Sequence, residues 1–257
     1  MEYGSLDDFR SRAGYTIGDR WYPRVTSIVS IKAKPALYRY YAQMPGIRAA
    51  DEAKERSAEE GSRVHDAAEA VLMGYTPVLD DITRPAVEAL TEFLRNTHVR
   101  PLLVEERLVS RVHRFAGTVD LVAEVNGVVG VVDIKTSKAI YRDYGLQTAA
   151  YAAALREDSS RPRPETSWVL RLDQCRTCTN CGGSMRTKGG NVSVNGKGSR
   201  ACSHAWGPMV GQFEFRELPD HEQNLSAFLA AKRLWEWEHS NYLARMPDYG
   251  VQLPASV

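Results

Sequence analysis

Gly117-Thr118-Val119-Asp120-Leu121-Val122, then Asn126-Gly127, then Val131-Val132-Asp133-Ile134-Lys135-Thr136 is the stretch whose reading decides the fold. Apolar residues alternate with period two on both sides of Asn126-Gly127, a dipeptide suited to the positive φ angles of a tight hairpin turn. The spacing predicts strands over 115–125 and 128–134, with a further strand over 102–109 completing a meander. On such strands Asp133 and Lys135 share one face, and Val132 and Ile134 point the other way. Asp120 has the parity of Thr118 and Val122, which assigns Val119 and Leu121 to the opposite, core face. The hairpin therefore gathers two carboxylates and an ammonium beside an apolar layer, where an unpartnered charge is costly.

Outward from this hairpin the period changes. The first 20 residues are polar with weak periodicity, and 25–30 reads as a short strand or extended segment. A helix starts at Pro35-Ala36-Leu37, carries Tyr38, Tyr40 and Tyr41, and stops at Pro45-Gly46. The charged run 51–60 leads into a helix bearing Val64, Ala67, Ala68, Val71 and Leu72 that Gly74 ends. Further helices are predicted over 85–95, 146–155 and 221–239, and strands over 167–172 and 212–216. Helices before a meander, then a helix and more strands, predict a mixed α/β fold: a central mixed sheet flanked by helices. The whole chain, 1–257, reads as a single domain, with 173–210 as a Gly-rich, Cys-containing insertion in a hairpin. The order of the strands stays open.

The 257 residues are 43% hydrophobic and 25% charged, ordinary for a globular protein. No uninterrupted apolar run is long enough to span a bilayer, and the first residues lack a secretory pattern, so a cytoplasmic protein without a membrane partner is expected. With 33 Lys and Arg against 32 Asp and Glu, the net charge of +1 neither proposes nor excludes nucleic acid. A local basic surface decides that question.

Asp120 and Asp133 offer hard oxygen ligands suited to Mg²⁺ or Mn²⁺. Such an ion polarises a phosphoryl oxygen and acidifies a water. Lys135 beside it can hold that water or offset transition-state charge. The plainer alternative is an ion pair at a strand end. His65 and Glu69 stand four apart on one helical face and either add ligands or cap the sheet. Gln147 and Tyr151 repeat that spacing on the helix after Lys135, where they either orient a phosphate or form an ordinary amphipathic pair.

These residues resemble, in order, the motifs of the PD-(D/E)XK nuclease superfamily, especially its RecB-like branch, which includes CRISPR-associated RecB-like nucleases and mitochondrial genome maintenance exonucleases. The likeness runs from Val25-Thr26-Ser27-Ile28 and Lys34-Pro35-Ala36-Leu37, through Gly61-Ser62-Arg63-Val64-His65 with Glu69, to Gly117-Thr118-Val119-Asp120, Asp133-Ile134-Lys135-Thr136 and Gln147 with Tyr151. It implies a restriction-endonuclease-like fold and a divalent metal held by His65, Asp120, Asp133 and the Ile134 carbonyl, with Glu69 acting through water. Lys135 is then the catalytic lysine, and Gln147 and Tyr151 lie near substrate. Glu105 or Glu106 matches more loosely and is left outside this set. The activity implied is a DNA exonuclease acting on single-stranded DNA or free ends in replication, repair or phage DNA processing. The competing readings are a structure-specific endonuclease and a non-catalytic DNA-binding or assembly protein. Arg107, Arg111, Arg114, Lys138, Arg142, Arg161 and Arg163 are the candidate phosphate contacts, and Tyr38, Tyr40 and Tyr41 could stack on bases or simply pack.

All four cysteines fall in the insertion, as Cys175-x2-Cys178-x2-Cys181 and Cys202-x-His204. Such clustering favours a metal over disulfides. Structural Zn²⁺ is expected, with one of the five candidates left outside a tetrahedral shell. The alternative is a 4Fe-4S cluster on four cysteines, which several RecB-like nucleases carry. Arg186, Lys188, Lys197 and Arg200 lie in the same segment and are candidates to touch phosphate.

Overall fold

In the computed structural model, which describes residues 3–42, 44–196 and 201–249, helix α1 (Leu6–Ala13) precedes a small hairpin of β1 (Gly14–Ile17) and β2 (Arg20–Pro23). Ser5 caps α1, its hydroxyl accepting the Asp8 N–H at 3.0 Å. These elements correct the expectation of an unpatterned start. Phe9 and Trp21 are fully buried anchors that weak periodicity concealed. Residues 25–30 are a second correction: Val25–Val29 is the short helix α2, not a strand. Its β-branched residues favour a strand, but Val25, Ile28 and Val29 bury together only on a helical face.

Helices α3 (Pro35–Tyr41), α4 (Ile47–Leu72) and α5 (Arg84–Asn96) follow, then β3 (Val99–Ser110), β4 (Phe115–Val125) and β5 (Val128–Lys135). Asn126 and Gly127 both have positive φ, 50° and 87°, as the hairpin reading requires. After β5, helix α6 (Tyr144–Arg156) crosses over so that β6 (Thr166–Cys178) lies parallel to β5. The remaining elements are β7 (Ser184–Lys188), β8 (Asn191–Asn195), β9 (Trp206–Glu217), α7 (His221–Glu238) and α8 (Ser240–Leu243).

The main sheet has seven strands in the order β3-β4-β5-β6-β7-β8, with β9 pairing β6 along its other edge. It is mixed: β5 and β6 are parallel and the other pairs antiparallel. Helices cover both faces. Val122 and Val131 pack with Leu146, Tyr151, Phe228 and Trp235 on one side. Leu121, Val132 and Ile134 pack with Val64, Leu90 and Phe93 on the other. The architecture is the mixed α/β sheet flanked by helices that the sequence predicts.

Two features position the site. First, β6 outruns β5. Its residues Thr166–Arg171 pair with β5, and farther along Arg176 and Thr177 pair with β7, which continues beyond the end of β5. The cysteine-rich insertion is thus a strand pair that extends the sheet beyond the end of β5, with its open end at the far end of β6. Second, the alternation of β4 slips at Asp120. Val119 belongs to one apolar layer and Leu121 to the other, although residues two apart on a regular strand share a face. Their joint assignment to one core face is corrected accordingly.

Candidate active site

The slip at Asp120 comes from both neighbouring strands. The β3–β4 ladder has rungs at Val104↔Leu121 and Glu106↔Val119, leaving Glu105 and Asp120 unpaired between them. Glu105 has φ of +48°, a left-handed conformation that costs a residue with a Cβ about 1–3 kcal/mol and points to a functional constraint. On the other side the β4–β5 ladder ends at Leu121↔Val132. There the Ile134 N–H donates instead to Asp120 Oδ2 at 2.7 Å. A carboxylate replaces a backbone carbonyl, and the strands part around it.

Three elements converge on this opening. His65 from α4 brings Nδ1 to 4.0 Å from Asp120 Oδ2. Donor atoms of His65, Glu105 and Asp120 all lie within 4.8 Å of one another, close enough to hold one metal ion. Asp133 is buried beside them; its Oδ1 accepts from Lys135 Nζ at 2.6 Å, and its Oδ2 has no hydrogen-bond partner. Lys135 Nζ also lies 5.3 Å from the centroid of the Tyr144 ring on α6. A buried carboxylate oxygen without a donor is costly, and its chemistry suits a hard cation.

The electrostatics point the same way. Burial pushes the Asp120 and Asp133 carboxyls above the usual range, against the pull of the Lys135 charge. Burial also works against the Lys135 ammonium, but Asp133 and Asp120 outweigh it and hold its pKa above the ordinary lysine value. Burial and Lys135 lower the His65 pKa, which keeps the imidazole neutral and able to coordinate. Glu105 is pushed up to about 7, first by burial and then by the Asp120 charge. It therefore retains its proton to about neutrality in the metal-free fold, whereas in the unfolded chain it ionises near 4.5, so metal-free stability erodes as pH rises from about 4.5 to 7. A bound cation must displace that proton. Mg²⁺ affinity, measured by calorimetry, is expected to rise about tenfold from pH 6 to pH 8, about half of its final value being reached at pH 7, and to level above that. Glu105→Gln should flatten the profile; an unchanged profile would remove Glu105 from the shell.

These groups open onto a cleft of about 710 Å³. His65, Glu69, Asp120, Lys135, Gln147 and Tyr151 all line it, so the structure gathers the sequence-derived set, with Asp133 buried behind Lys135. Gln147 Nε2 donates to Tyr151 Oη at 3.2 Å. Gly117 makes room for that tyrosine: a Cβ there would stand 2.6 Å from the ring. Glu105 joins the set although the sequence offers only a Glu-Glu pair within an apolar strand. The structure separates the two, because Glu106 pairs with Arg161 at 2.8 Å while Glu105 faces the metal ligands.

The basic candidates divide. Lys138 lines the cleft, and Arg107 lies over Tyr15, 4.1 Å from the centroid of that cleft-lining ring. Arg111 and Arg114 line a smaller cavity of about 290 Å³ instead, and Arg142 and Arg163 are exposed away from the cleft lining. Arg24, Arg186 and Lys188 line the main cleft, the first of them missed on sequence. Tyr38 is 57% exposed. The side chain of Tyr40, and Lys197 and Arg200 entirely, lie outside the described residues.

The insertion holds a second candidate metal centre. Donor atoms of Cys178, Cys181, Cys202 and His204 lie within 4.8 Å of one another. Cys178 Sγ is 3.9 Å from Cys202 Sγ, and Cys181 Sγ is 3.6 Å from His204 Nδ1. Tetrahedral Zn²⁺ with Zn–S bonds near 2.3 Å separates its sulfurs by about 3.8 Å. Burial raises the Cys178 thiol, yet hydrogen bonds from His204 and the backbone at Cys181, Asn180 and Ala205 bring it down to about 6, favouring the thiolate that binds metal. Cys175 does not join this group; it is buried within the β6–β9 ladder opposite Val210.

A model of the PD-(D/E)XK nuclease superfamily matches residues 35–225, from α3 into α7. The chain belongs to the PD-(D/E)XK nuclease superfamily. Nuclease-type activity and interaction with DNA come with that membership, and the matched span contains every residue of the cleft's candidate metal centre. Comparison with curated proteins gives no match. Among the described residues, no helix is long and apolar enough to cross a membrane.

Proposed function

We propose that this PD-(D/E)XK protein is a divalent-metal-dependent deoxyribonuclease of the RecB-like kind, an exonuclease acting on single-stranded DNA or DNA ends. The observation that carries the reading is the convergence of His65, Glu105 and Asp120 beside the unpartnered Oδ2 of Asp133, with Lys135 at the mouth. Those four residues would hold Mg²⁺ or Mn²⁺, with the Ile134 carbonyl completing the shell and Glu69 reaching it through water. When bound, the ion supplies Lewis-acid charge to the phosphoryl group and acidifies a water.

The chain's own groups do the rest. Lys135, kept charged by two carboxylates, donates to the attacking water or a non-bridging phosphate oxygen and balances developing negative charge. Burial keeps the Tyr151 phenol protonated, so with Gln147 it offers hydrogen-bond donors to the substrate. Gln147→Ala and Tyr151→Phe are expected to slow turnover about tenfold with melting temperature little changed, the scale of one lost hydrogen bond at the transition state. Wild-type kinetics in both variants would reduce the pair to packing.

The exonuclease reading rests on the ordered motif series rather than on the cleft. Linear and circular DNA, single- and double-stranded, labelled at either end, test it. Loss of linear substrate from one end with circles intact is the expected result. Cutting of circles makes the protein an endonuclease, and binding without cutting a DNA-binding or assembly protein. The second centre is proposed to hold structural Zn²⁺ through Cys178, Cys181, Cys202 and His204, because a fourth thiolate for an iron-sulfur cluster would have to come from Cys175, which the fold places elsewhere.

A further inference from the structure

The hairpin of β7 and β8 is held at both ends. Its root is the Cys178/Cys181/Cys202/His204 cluster. Its tip, Gly189, rests on α4 shortly before His65: the Gly189 N–H donates to the Glu60 carboxylate at 3.0 and 3.1 Å, and its carbonyl accepts from Arg56 Nε at 3.1 Å. Gly189 has φ of +57°, and a Cβ there would stand 2.5 Å from the Ala53 carbonyl oxygen, so only glycine allows this seat.

Seating the tip brings two cations to the end of the Asp133-Ile134-Lys135-Thr136 strand. Arg186 is a strut. It pairs with Asp173 at 2.6 Å and donates to the Thr136 carbonyl at 3.0 Å, so its charge is already matched. Lys188 is different: its ammonium donates to the Thr136 hydroxyl at 3.2 Å and lines the catalytic cleft. Among the described residues, no carboxylate lies within the 4.0 Å of an ion pair to it. Burial lowers its pKa, and the more distant Glu60 and Asp173 carboxylates offset this only in part, so a closer anion would relieve the cation further.

We propose that Lys188 is a phosphate-binding residue of the cleft, gripping a backbone phosphodiester of single-stranded DNA next to the one cleaved, and that the insertion exists to deliver it. The ammonium is a point charge on the insertion side of the cleft, beside Lys135, and neutralises a phosphate without reading a base. The inference rests on the nuclease reading above, which supplies the substrate class.

The test is binding of a labelled oligothymidylate by wild type, Lys188→Gln and Lys188→Arg across a salt series, with no divalent cation added. Lys188→Gln should weaken binding about five- to tenfold and reduce the slope of log affinity against log salt by about 0.7, one contact's share on a single strand. Lys188→Arg should restore both, with bound metal at the cysteine cluster unchanged in every variant. Lys188→Met, which keeps the aliphatic stem, gives the same comparison if the glutamine variant fails to fold. Wild-type affinity and slope in the glutamine or methionine variant overturn the proposal, and so does weakened binding with an unchanged slope, which would mark a purely structural lysine. If wild type binds and cuts DNA while these variants match it, only this inference falls; if wild type neither binds nor cuts DNA, the nuclease reading falls first.

Discussion

Lys135→Ala is expected to lower turnover about 100- to 1000-fold while leaving Mg²⁺ binding measurable, whereas Asp120→Asn should remove Mg²⁺ binding and activity together. The split follows from what each group touches. Asp120 shares the ligand cluster with His65 and Glu105, while Lys135 contacts Asp133 and faces the cleft. Stability should move in opposite directions. Removing Lys135 leaves Asp133 and Asp120 buried without their cation, a loss of about 3–5 kcal/mol when a buried pair is broken. Its melting temperature without divalent ions should fall, and added Mg²⁺ should recover part of the loss. Asp120→Asn deletes one of two buried like charges, and its amide oxygen can still accept the Ile134 N–H. The metal-free variant should melt no lower than wild type. Calorimetric Mg²⁺ titration and thermal melts of both variants read out all four expectations.

The second large effect concerns the cysteine cluster. Cys178→Ser and His204→Ala should each lose the zinc, about one per wild-type chain, and lower the melting temperature by about 5–10 °C, on the scale of a few kcal/mol in a chain of this size. Cys175→Ser should keep it. The contrast between His204→Ala and Cys175→Ser distinguishes the Cys178/Cys181/Cys202/His204 set from a four-cysteine shell, which would lose its metal with Cys175→Ser and keep it with His204→Ala; Cys178 is common to both. Metal analysis and an absorption spectrum of anaerobically purified protein decide the element: stoichiometric iron and sulfide with visible absorption would reject zinc. His204 packs on Trp206 with ring centroids 4.4 Å apart, so release of the metal should also shift tryptophan emission.

The central hairpin was legible because several local signals agree there. The bounds of β4 match the sequence reading residue for residue, since the period-two pattern, the Asn126-Gly127 turn and the apolar flanks all demand the same strands. The Asp133-x-Lys135 spacing likewise puts the two groups in contact on parity alone, Lys135 at the cleft and Asp133 buried behind it. Legibility failed where tertiary packing overrode local preference. The β-branched run at Val25–Val29 became a helix because its partners lie on helices α6 and α7. Glu105 escaped because its left-handed turn of the backbone has no signature in a Glu-Glu pair. The parity argument misplaces Val119 and Leu121 for a related reason, since the slip is made by residues on both neighbouring strands. The hairpin of β7 and β8 is legible only as part of a Gly-rich, Cys-containing insertion, because its short strands bury little apolar surface. It forms through pairing with β6, contacts to α4, and the cluster at its root.

Purified wild type and the Asp120→Asn/Asp133→Asn double variant, incubated with end-labelled linear single-stranded DNA with and without Mg²⁺, test the assignment of hydrolysis to the central hairpin most directly. Wild type should degrade the DNA only when the divalent ion is present, and the double variant should not degrade it in either condition. Mg²⁺-dependent cleavage undiminished in the double variant would contradict the assignment.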